Sequence, residues 1–325
     1  MNRKLAYSLA INEALTQIMA IDNEVFIMGQ GVKSPWYVGN TCKGLIALYG
    51  EERVIDTPIS ENAMTGAAVG AALAGMKAIV MHPRTDFSLY ALDPIINQAA
   101  NWSYMNGGRA SVPVVFWMIV NRAGEQAAQH SQALHSLFSH IPGLKVIAPS
   151  NAYDVKGLLI SAIRDPNPVV FIDDRWLYGK EDFVPEEIYE LPIGKGVIRN
   201  EGTDVTLVSS SFLASKSYQV VEMVKKEGIS VELIDLRSIK PLDMELINSS
   251  VLKTGRLLIV DGSWKTNSIA SEISASVNET LFKKLKAPVV RINLPDAPAP
   301  ASKTLESEYY ITKDMIIDAI KRLIN

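Results

Sequence analysis

Three of the chain's four histidines, His130, His135 and His140, are spaced five residues apart. On an α-helix that spacing rotates successive side chains by about 140°, so the three cannot converge on one metal ion. Helical zinc ligands are typically three or four residues apart, and the chain has no HExxH and no CxxC motif. A local metal site is therefore not expected. Two interpretations stay open: scaffold histidines throughout, or proton transfer by His130, which follows the polar stretch QAAQ at the start of a predicted helix.

Two further residues stand where a predicted strand gives way to a helix. Glu61, within DTPISENAMTGAAVGAALAG, could do chemistry, or it could simply favour the positive end of a helix that Ser60 caps. Phe87 could be a core aromatic or a flat surface for a ligand ring. The glycines at 66, 70 and 75 match no phosphate-binding motif, and their spacing among alanines predicts close helix packing.

Continuous apolar strands and helical patterns alternate along the chain and must position these residues. Strands are predicted at 24–29, 53–59, 77–82, 112–120 and 168–174, with helices at 5–20, 62–76, 93–105 and 154–165. The helix at 62–76 is small and apolar throughout, so we expect it to be packed on all sides. The polar stretch 181–202 is read as a linker, after which the alternation restarts. We predict an α/β fold of two domains, residues 1–180 and 203–325, each a mostly parallel sheet covered by helices.

Composition excludes several classes of protein. The 325 residues suit two domains, and a net charge of −3 without a basic block argues against nucleic-acid binding. The sequence contains no run of about 18 apolar residues, so no membrane span is expected. The N-terminus is charged and amphipathic, unlike a signal peptide. A single cysteine, Cys42, cannot form an intrachain disulfide, so we expect a reducing, cytoplasmic setting.

An ordered set of segments carries a family resemblance that spans nearly the whole chain. The segments are DTPISENAMTGAAVGAALAGMKAIV, QHSQ, FSHIPGLKVIAPSNAYDVKGLL, AIRDPNPVVF, LPIGKG, IDLRSIKPLD and KTGRLLIVDG. Together they resemble the beta subunit of thiamine-diphosphate-dependent 2-oxoacid (pyruvate or branched-chain) dehydrogenases, in the transketolase-like superfamily. The resemblance implies a pyrimidine-binding domain at 1–180 and a transketolase C-terminal-like domain at 203–325. It also implies decarboxylation of a 2-oxoacid, with transfer of the acyl unit to a lipoyl partner.

The resemblance implies roles for four residues. Glu61 matches the glutamate that hydrogen-bonds the aminopyrimidine ring nitrogen of the cofactor, where a shared proton favours the imino tautomer. Ile59 is expected to contact the same ring, and Phe87 matches the aromatic that stacks on it. His130 matches the histidine that faces the reacting substrate. His140 matches a family position of structural character, and His135 matches no functional position.

The resemblance also implies a second chain. Thiamine diphosphate needs Mg²⁺ bound by a GDG-to-asparagine motif, which this sequence lacks, so the diphosphate and the metal are expected on an alpha subunit. The implied partners are that alpha subunit in an α2β2 heterotetramer with a beta–beta contact, and a lipoyl acyltransferase. In relatives of this kind, four backbone carbonyls hold K⁺, although a plain helix-ending turn explains the segment AIRDPNP equally well. The matching positions here are Val114, Ala162, Asp165 and Asn167.

Departures from the family pattern lie near the expected mouth of the site. Residues 82–84 read HPR and residues 117–128 read WMIVNRAGEQAA, so His82, Arg84 and Arg122 could bind the substrate or could be ordinary surface charges. An alternative function is half of a split transketolase-like carboligase, which moves a two-carbon unit to a sugar or other carbonyl. The QHSQ segment favours the dehydrogenase. A cofactor-free structural subunit is disfavoured because Glu61 is present.

Overall fold

Strands of continuous apolar sequence form the centre of both sheets in the computed structural model, which describes residues 3–34 and 37–324. Strand β5 (Val114–Val120, VVFWMIV) is buried at all seven positions, as expected for a strand covered by helices on both faces. The two-domain, mostly parallel α/β class predicted from the sequence is confirmed.

The N-terminal sheet has seven strands in the order β12-β6-β7-β5-β4-β2-β3. Only β12 runs antiparallel to its neighbour, and it reaches this sheet from the C-terminal half of the chain. Besides β5, the strands are β2 (Val25–Gly29), β3 (Val54–Asp56), β4 (Lys77–His82), β6 (Lys145–Ile147), β7 (Val169–Asp174) and β12 (Ser238–Lys240).

The C-terminal sheet has five strands in the order β14-β13-β10-β11-β9, of which only β9 is antiparallel. Its strands are β9 (Val197–Asn200), β10 (Val205–Ser209), β11 (Val231–Asp235), β13 (Leu257–Trp264) and β14 (Val290–Leu294). A separate antiparallel pair joins β1 (Lys4–Ala6) to β8 (Glu181–Phe183).

Helices cover both sheets, and two short turns of helix complete the site-bearing region. The α-helices are α1 (Tyr7–Ile21), α2 (Leu45–Tyr49), α3 (Glu61–Leu73), α4 (Asn101–Met105), α5 (His135–His140), α6 (Ala152–Arg164), α7 (Ser211–Lys225), α8 (Met244–Thr254), α9 (Ile269–Leu281), α10 (Lys303–Tyr309) and α11 (Lys313–Ile324). A 3-10 turn spans Thr85–Ala91, and a wide π-helical segment, Asp93–Ala100, runs directly into α4.

The predicted linker at 181–202 contains β8 and β9, whose exposed or half-buried positions explain the polar composition. One local expectation was wrong. Helix α3 is not packed on all sides, because Asn62, Ala63 and Ala67 among others are exposed. A Cβ atom added at Gly66 or Gly70 would meet nothing within 4 Å, so these glycines serve no close packing within the chain.

Candidate functional site

Parallel strands bring the predicted site residues to one edge of the N-terminal sheet. Strands β3, β4 and β5 run in the same direction, so the loops that follow them leave the sheet at its carboxyl edge. Glu61 follows β3, Phe87 follows β4, and His130 follows β5. Helix α3 also packs against β4 and the turn Thr85–Ala91, which holds Glu61 and Phe87 on neighbouring elements. Ligand sites of open α/β sheets typically lie at this edge.

Glu61 is the first residue of α3, where a carboxylate is favoured by the helix dipole. Ser60 occupies the N-cap position but its side chain makes no capping hydrogen bond, contrary to the expectation that it caps the helix. Glu61 is half-buried and makes no ion pair or side-chain hydrogen bond within the residues that the structure describes. Two residues before it, Ile59 is 73% exposed. The carboxylate and the aliphatic side chain are thus both available to a ligand.

Phe87 and His130 contact each other edge to face, with ring centroids 5.2 Å apart and an interplanar angle of 88°. Both side chains are half-buried, so neither is enclosed in the core. The adjacent Asp86 is buried, and its Oδ1 accepts a hydrogen bond from the Gln132 amide at 3.1 Å. Burial raises the pKa of Asp86, although the bond to Gln132 and the nearby His130 oppose that rise. The turn after β4 therefore holds the histidine loop through a ring contact and a carboxylate.

The three residues proposed from the departures in sequence lie in different surroundings. His82 is fully buried at the end of β4, its Nε2 lies 3.2 Å from the Thr65 hydroxyl, and burial lowers its pKa to about 4. Arg84 is half-buried and donates to the Pro83 carbonyl at 2.7 Å. Of the two, only Arg84 has a side chain that reaches the surface.

Arg122 is 7% exposed and is committed to contacts within the chain. Its Nε donates to Asp174 Oδ2 at 2.9 Å, and its Nη1 donates to the Gly262 carbonyl at 3.2 Å. The two hydrogen bonds hold the guanidinium group in place within the chain. They also connect β7 to β13 of the other domain. We therefore do not include Arg122 in the proposed site.

The remaining two histidines of the cluster lie apart from His130. His135 is buried and donates from Nε2 to Asp261 Oδ1 at 2.7 Å, which joins α5 to β13. His140 is exposed at the end of α5 and lines a cleft of about 1110 Å³ between the domains. Neither Glu61 nor Phe87 lines that cleft.

The segment proposed as a cation site ends helix α6. The Asp165 amide donates to the Ala162 carbonyl at 3.3 Å, and the Asn167 amide donates to Asp165 Oδ1 at 2.9 Å. Lys145 pairs with the same carboxylate. Across the described ranges, no group of three or more His, Cys, Asp or Glu side chains is arranged to hold a metal ion. Likewise, none of the described helices is long and apolar enough to cross a membrane.

Three residues at or near this edge escaped the sequence analysis. Asp86 directly precedes Phe87, and this position beside a proposed site residue was the one feature of the sequence that could have indicated it. Glu306 and Tyr310 reach the loop before His130 from the C-terminal domain, through bonds to the amides of Glu125 and Ala123. Their separation of more than 180 positions along the chain leaves no pattern that sequence periodicity could detect.

Comparisons with known proteins match the chain along nearly its whole length. The family described as transketolase, pyrimidine binding domain matches residues 3–180, and transketolase, C-terminal domain matches residues 194–316. The beta subunit of acetoin:2,6-dichlorophenolindophenol oxidoreductase of Cupriavidus necator is 43% identical, over 99% of this chain and 98% of that protein. The mitochondrial pyruvate dehydrogenase E1 component subunit beta-2 of Oryza sativa subsp. japonica is 44% identical, over 96% of this chain and 84% of that protein.

A bacterial relative and a solved structure extend these matches. The pyruvate dehydrogenase E1 component subunit beta of Rickettsia felis is 40% identical, over 97% of this chain and 96% of that protein. A solved structure described as a split gene transketolase, inactive beta4 tetramer, has a TM-score of 0.80 over 98% of both chains. At 20% identity, that likeness concerns the fold alone.

Proposed function

The chain belongs to the transketolase-like family of dehydrogenase beta subunits, and we propose that its carboxyl edge supplies the pyrimidine-binding half of a thiamine diphosphate site. It is the beta subunit of a heteromeric thiamine-diphosphate-dependent 2-oxoacid dehydrogenase, which decarboxylates a 2-oxoacid and passes the acyl unit to a lipoyl partner. The observation that carries this proposal is that Glu61, Phe87 and His130 all follow strands at the carboxyl edge of one sheet, with the rings of Phe87 and His130 in contact.

The residues at this edge fit an aminopyrimidine ring. Such a ring needs flat apolar contacts on its faces and an acceptor or shared proton at its ring nitrogen. Ile59 offers an exposed aliphatic surface and Phe87 an aromatic one, while the Glu61 carboxylate is not bonded to any other described side chain. A hydrophobic side chain as exposed as Ile59 favours burial against a ligand or a partner.

The side chains of this chain bind, orient and move protons. When bound, thiamine diphosphate supplies the carbon nucleophile and the electron sink for cleaving a bond beside a carbonyl group. Glu61 holds a proton at the pyrimidine ring nitrogen, and Ile59 and Phe87 fix the plane of the ring. His130, held at its ring by Phe87, exchanges a proton with the reacting acyl group and its acceptor.

An exposed apolar surface beside the site supports an alpha partner that completes it. Tyr104 is 90% exposed, and Tyr90, Met105 and Ile59 are also exposed around the same helices. The small residues of α3 leave room for a second backbone to approach closely. Exposed large apolar side chains that form a continuous patch mark protein interfaces, which supports a partner on this face. We propose an α2β2 heterotetramer with a beta–beta contact, and a lipoyl acyltransferase as the acceptor.

The finer cofactor assignments follow from this arrangement. Mg²⁺ and the diphosphate are proposed to sit on the alpha chain, and K⁺ is proposed at the carbonyl oxygens of the helix-ending turn, 162–167, together with Val114. The single, buried Cys42 is consistent with the reducing cytoplasm that we propose as its compartment. The split transketolase function is not carried forward, because relatives at 40% identity or more are named as dehydrogenase or oxidoreductase subunits.

Acetoin is a second candidate substrate, favoured by the names of two relatives. The acetoin oxidoreductase subunits of Cupriavidus necator and Bacillus subtilis are 43% and 39% identical over 99% and 100% of this chain. Cleaving the bond beside the carbonyl would release acetaldehyde from acetoin, whereas a 2-oxoacid would release CO₂.

Product analysis separates these candidates. The chain would be co-purified with its alpha partner and supplied with thiamine diphosphate, Mg²⁺ and an artificial electron acceptor. CO₂ release from pyruvate or a branched-chain 2-oxoacid, dependent on the oxidant, is the expected result. Acetaldehyde from acetoin, without CO₂ release from any 2-oxoacid, would move the assignment to acetoin cleavage. Neither product, in a complex that binds the cofactor, would contradict both.

A further inference from the structure

The loop between β5 and His130 adopts a backbone conformation that most residues avoid. Ala123, Glu125 and Ala127 have φ angles of +54°, +60° and +59°, and Gly124 lies among them at +72°. Non-glycine residues in this left-handed region are disfavoured and persist only where the surroundings hold them. Something outside the loop must therefore stabilise it.

Two side chains of the C-terminal domain bond to this left-handed stretch. The Glu125 amide donates to Glu306 Oε2 at 3.2 Å, and the Ala123 amide donates to the Tyr310 hydroxyl at 3.3 Å. Glu306 lies on α10, and Tyr310 follows that helix directly. Consecutive left-handed residues turn their amides towards a common side, and a carboxylate is a strong acceptor for such amides.

Burying the Glu306 carboxylate is unfavourable for folding, which suggests that this side chain is kept for a specific contact. It is 5% exposed, and its Oε1 is buried without a hydrogen-bond partner in the described part of the chain. Burying a carboxylate without full compensation is unfavourable, and an apolar residue would fill the same space more cheaply. Two residues further along the same helix, Glu308 is exposed, as expected for a glutamate that only faces solvent.

We propose that Glu306 is a positioning residue for His130. Its carboxylate, with the Tyr310 hydroxyl, holds the left-handed stretch 123–127 so that the histidine at the end of the loop is presented at the carboxyl edge. The C-terminal domain thereby contributes to the site without touching the reacting atoms. The role of His130 in this inference rests on the proposed function, whereas the contacts of Glu306 and Tyr310 with the loop do not depend on it.

The inference is tested first by hydrogen–deuterium exchange in the complex with the alpha partner. Glu306→Ala removes the acceptor, Glu306→Gln keeps an amide oxygen that can accept, and Glu308→Ala is the matched control on the same helix. We expect amides of residues 123–130 to exchange about tenfold faster in Glu306→Ala, with a smaller change in Glu306→Gln. Exchange in the strands of both sheets should stay unchanged, and Glu308→Ala should match the wild type.

Kinetics of the same variants then connect the loop to His130. In Glu306→Ala, we expect kcat to fall about tenfold or more, while the KM for substrate and the Kd for thiamine diphosphate stay within about twofold. That split is expected because the bond from Glu306 goes to the Glu125 amide in the histidine loop, whereas Ile59, Glu61 and Phe87, which would hold the ring, lie on other segments. Partial recovery of kcat in Glu306→Gln would support the hydrogen bond as the cause.

Several results would overturn the inference. One is unchanged exchange of residues 123–130 in Glu306→Ala, and another is faster exchange spread over the whole chain with a lowered Tm. Faster loop exchange with unchanged kcat would also remove the connection to His130. If Glu306→Ala does not fold, Tyr310→Phe removes only a hydroxyl and should still speed exchange at the Ala123 amide. If the wild-type complex turns over no substrate, the exchange result still decides whether Glu306 holds the loop.

Discussion

Burial assigns different roles to histidines that the sequence alone cannot separate. His82 is enclosed and has its pKa lowered to about 4, so it is neutral at pH 7 and closed to solvent. His135 is buried against Asp261, whereas His130 is half-buried at the carboxyl edge beside Phe87. Of these three, only His130 is partly exposed at this edge, as the proton exchange proposed for it requires.

Replacing His130 with alanine should slow acyl transfer more than decarboxylation. General acid–base groups typically contribute about 10²- to 10⁴-fold, so we expect a loss in that range for the transfer step. Rapid-mixing measurements that follow CO₂ release and acyl transfer separately provide the test. His140→Ala, at an exposed position, is the control and should behave as the wild type. A larger effect on decarboxylation than on transfer would mean that His130 acts earlier.

A buried carboxyl group in the N-terminal domain should make stability depend on pH. Trp117 Nε1 and the Tyr178 hydroxyl donate to Asp173 Oδ2 at 3.0 and 2.7 Å, and burial raises the pKa of Asp173 to about 7. Because the folded state holds this proton where the unfolded chain has lost it, the group's contribution to stability falls as pH rises from about 4 through 7.

Asp173→Asn should remove that penalty. The substitution keeps an acceptor oxygen for Tyr178 and Trp117 but cannot ionise, so we expect a gain of a few kcal/mol at pH 8, on the order of 1.4 kcal/mol per unit of pKa shift. At pH 5 the gain should be smaller, roughly 1.5 kcal/mol, because the folded aspartic acid still holds its proton there while the unfolded chain has already lost it. Thermal unfolding at both pH values measures it, and an equal effect at pH 5 and pH 8 would contradict the raised pKa.

The proposed site residues were singled out by their neighbours in sequence, and the family resemblance then supplied their roles. Glu61, Phe87 and His130 each follow a predicted strand, and parallel strand order then places them at one edge. Glu306 and Asp261 could not be found this way, because each acts on a loop or helix more than 100 residues distant in the chain. Only the packing of the two domains brings those partners together.

At the scale of elements, α5 and β13 are joined by a buried hydrogen bond between His135 and Asp261, which lie in different domains. Asp261 accepts from His135 through Oδ1, and its Oδ2 accepts from Ser263 Oγ at 2.8 Å and Asn293 Nδ2 at 3.2 Å. Burial alone would raise the pKa of Asp261, but His135 and these hydrogen bonds outweigh it and lower the pKa to about 2. The carboxylate therefore stabilises the folded state above pH 4, and that contribution is lost as pH falls towards 2.

Breaking this pair should destabilise the chain in a pH-dependent way. His135→Ala leaves the buried Asp261 carboxylate without its histidine partner, and only the Ser263 and Asn293 side chains still donate to it. Removing one partner of a buried pair costs about 3–5 kcal/mol in comparable cases. The penalty should be full at pH 6 and smaller near pH 2.5, where Asp261 begins to take up a proton. Thermal unfolding of the variant and of His140→Ala, as the control, provides the comparison. An equal penalty at both pH values would show that lost packing, and not the ionised Asp261 carboxylate, accounts for the lowered stability.

The helices and strands themselves were largely predictable, and the exceptions have a common cause. The continuous apolar run of β5 predicts a strand buried on both faces, and apolar residues three and four apart in α11 predict a helix with one buried face. The exposed face of α3 and the edge strands of the predicted linker depend on what lies against them, including a partner chain. Local patterns do not encode that information.

At the scale of the whole molecule, the proposed cofactor edge and several exposed apolar side chains belong to the same N-terminal domain. Ile59 precedes α3, and the exposed aromatics Tyr90 and Tyr104 lie on the turn and helix that follow β4. The proposed site shared between two chains would explain why Glu61 is only half-buried and Ile59 is exposed in this chain. Catalysis should therefore require assembly with the alpha partner.

The most direct test of the account compares wild type and Glu61→Gln in the assembled complex. With thiamine diphosphate, Mg²⁺, pyruvate and an artificial electron acceptor, we expect oxidant-dependent CO₂ release from the wild-type complex. In Glu61→Gln, the rate should fall about 10²- to 10⁴-fold with assembly intact, because the amide cannot hold the ring proton. Glu52→Gln is the control and should keep full activity, because Glu52 is exposed and lies before β3, the strand that precedes Glu61. Near-normal turnover in Glu61→Gln would contradict the assignment of this edge as the pyrimidine-binding half of the site.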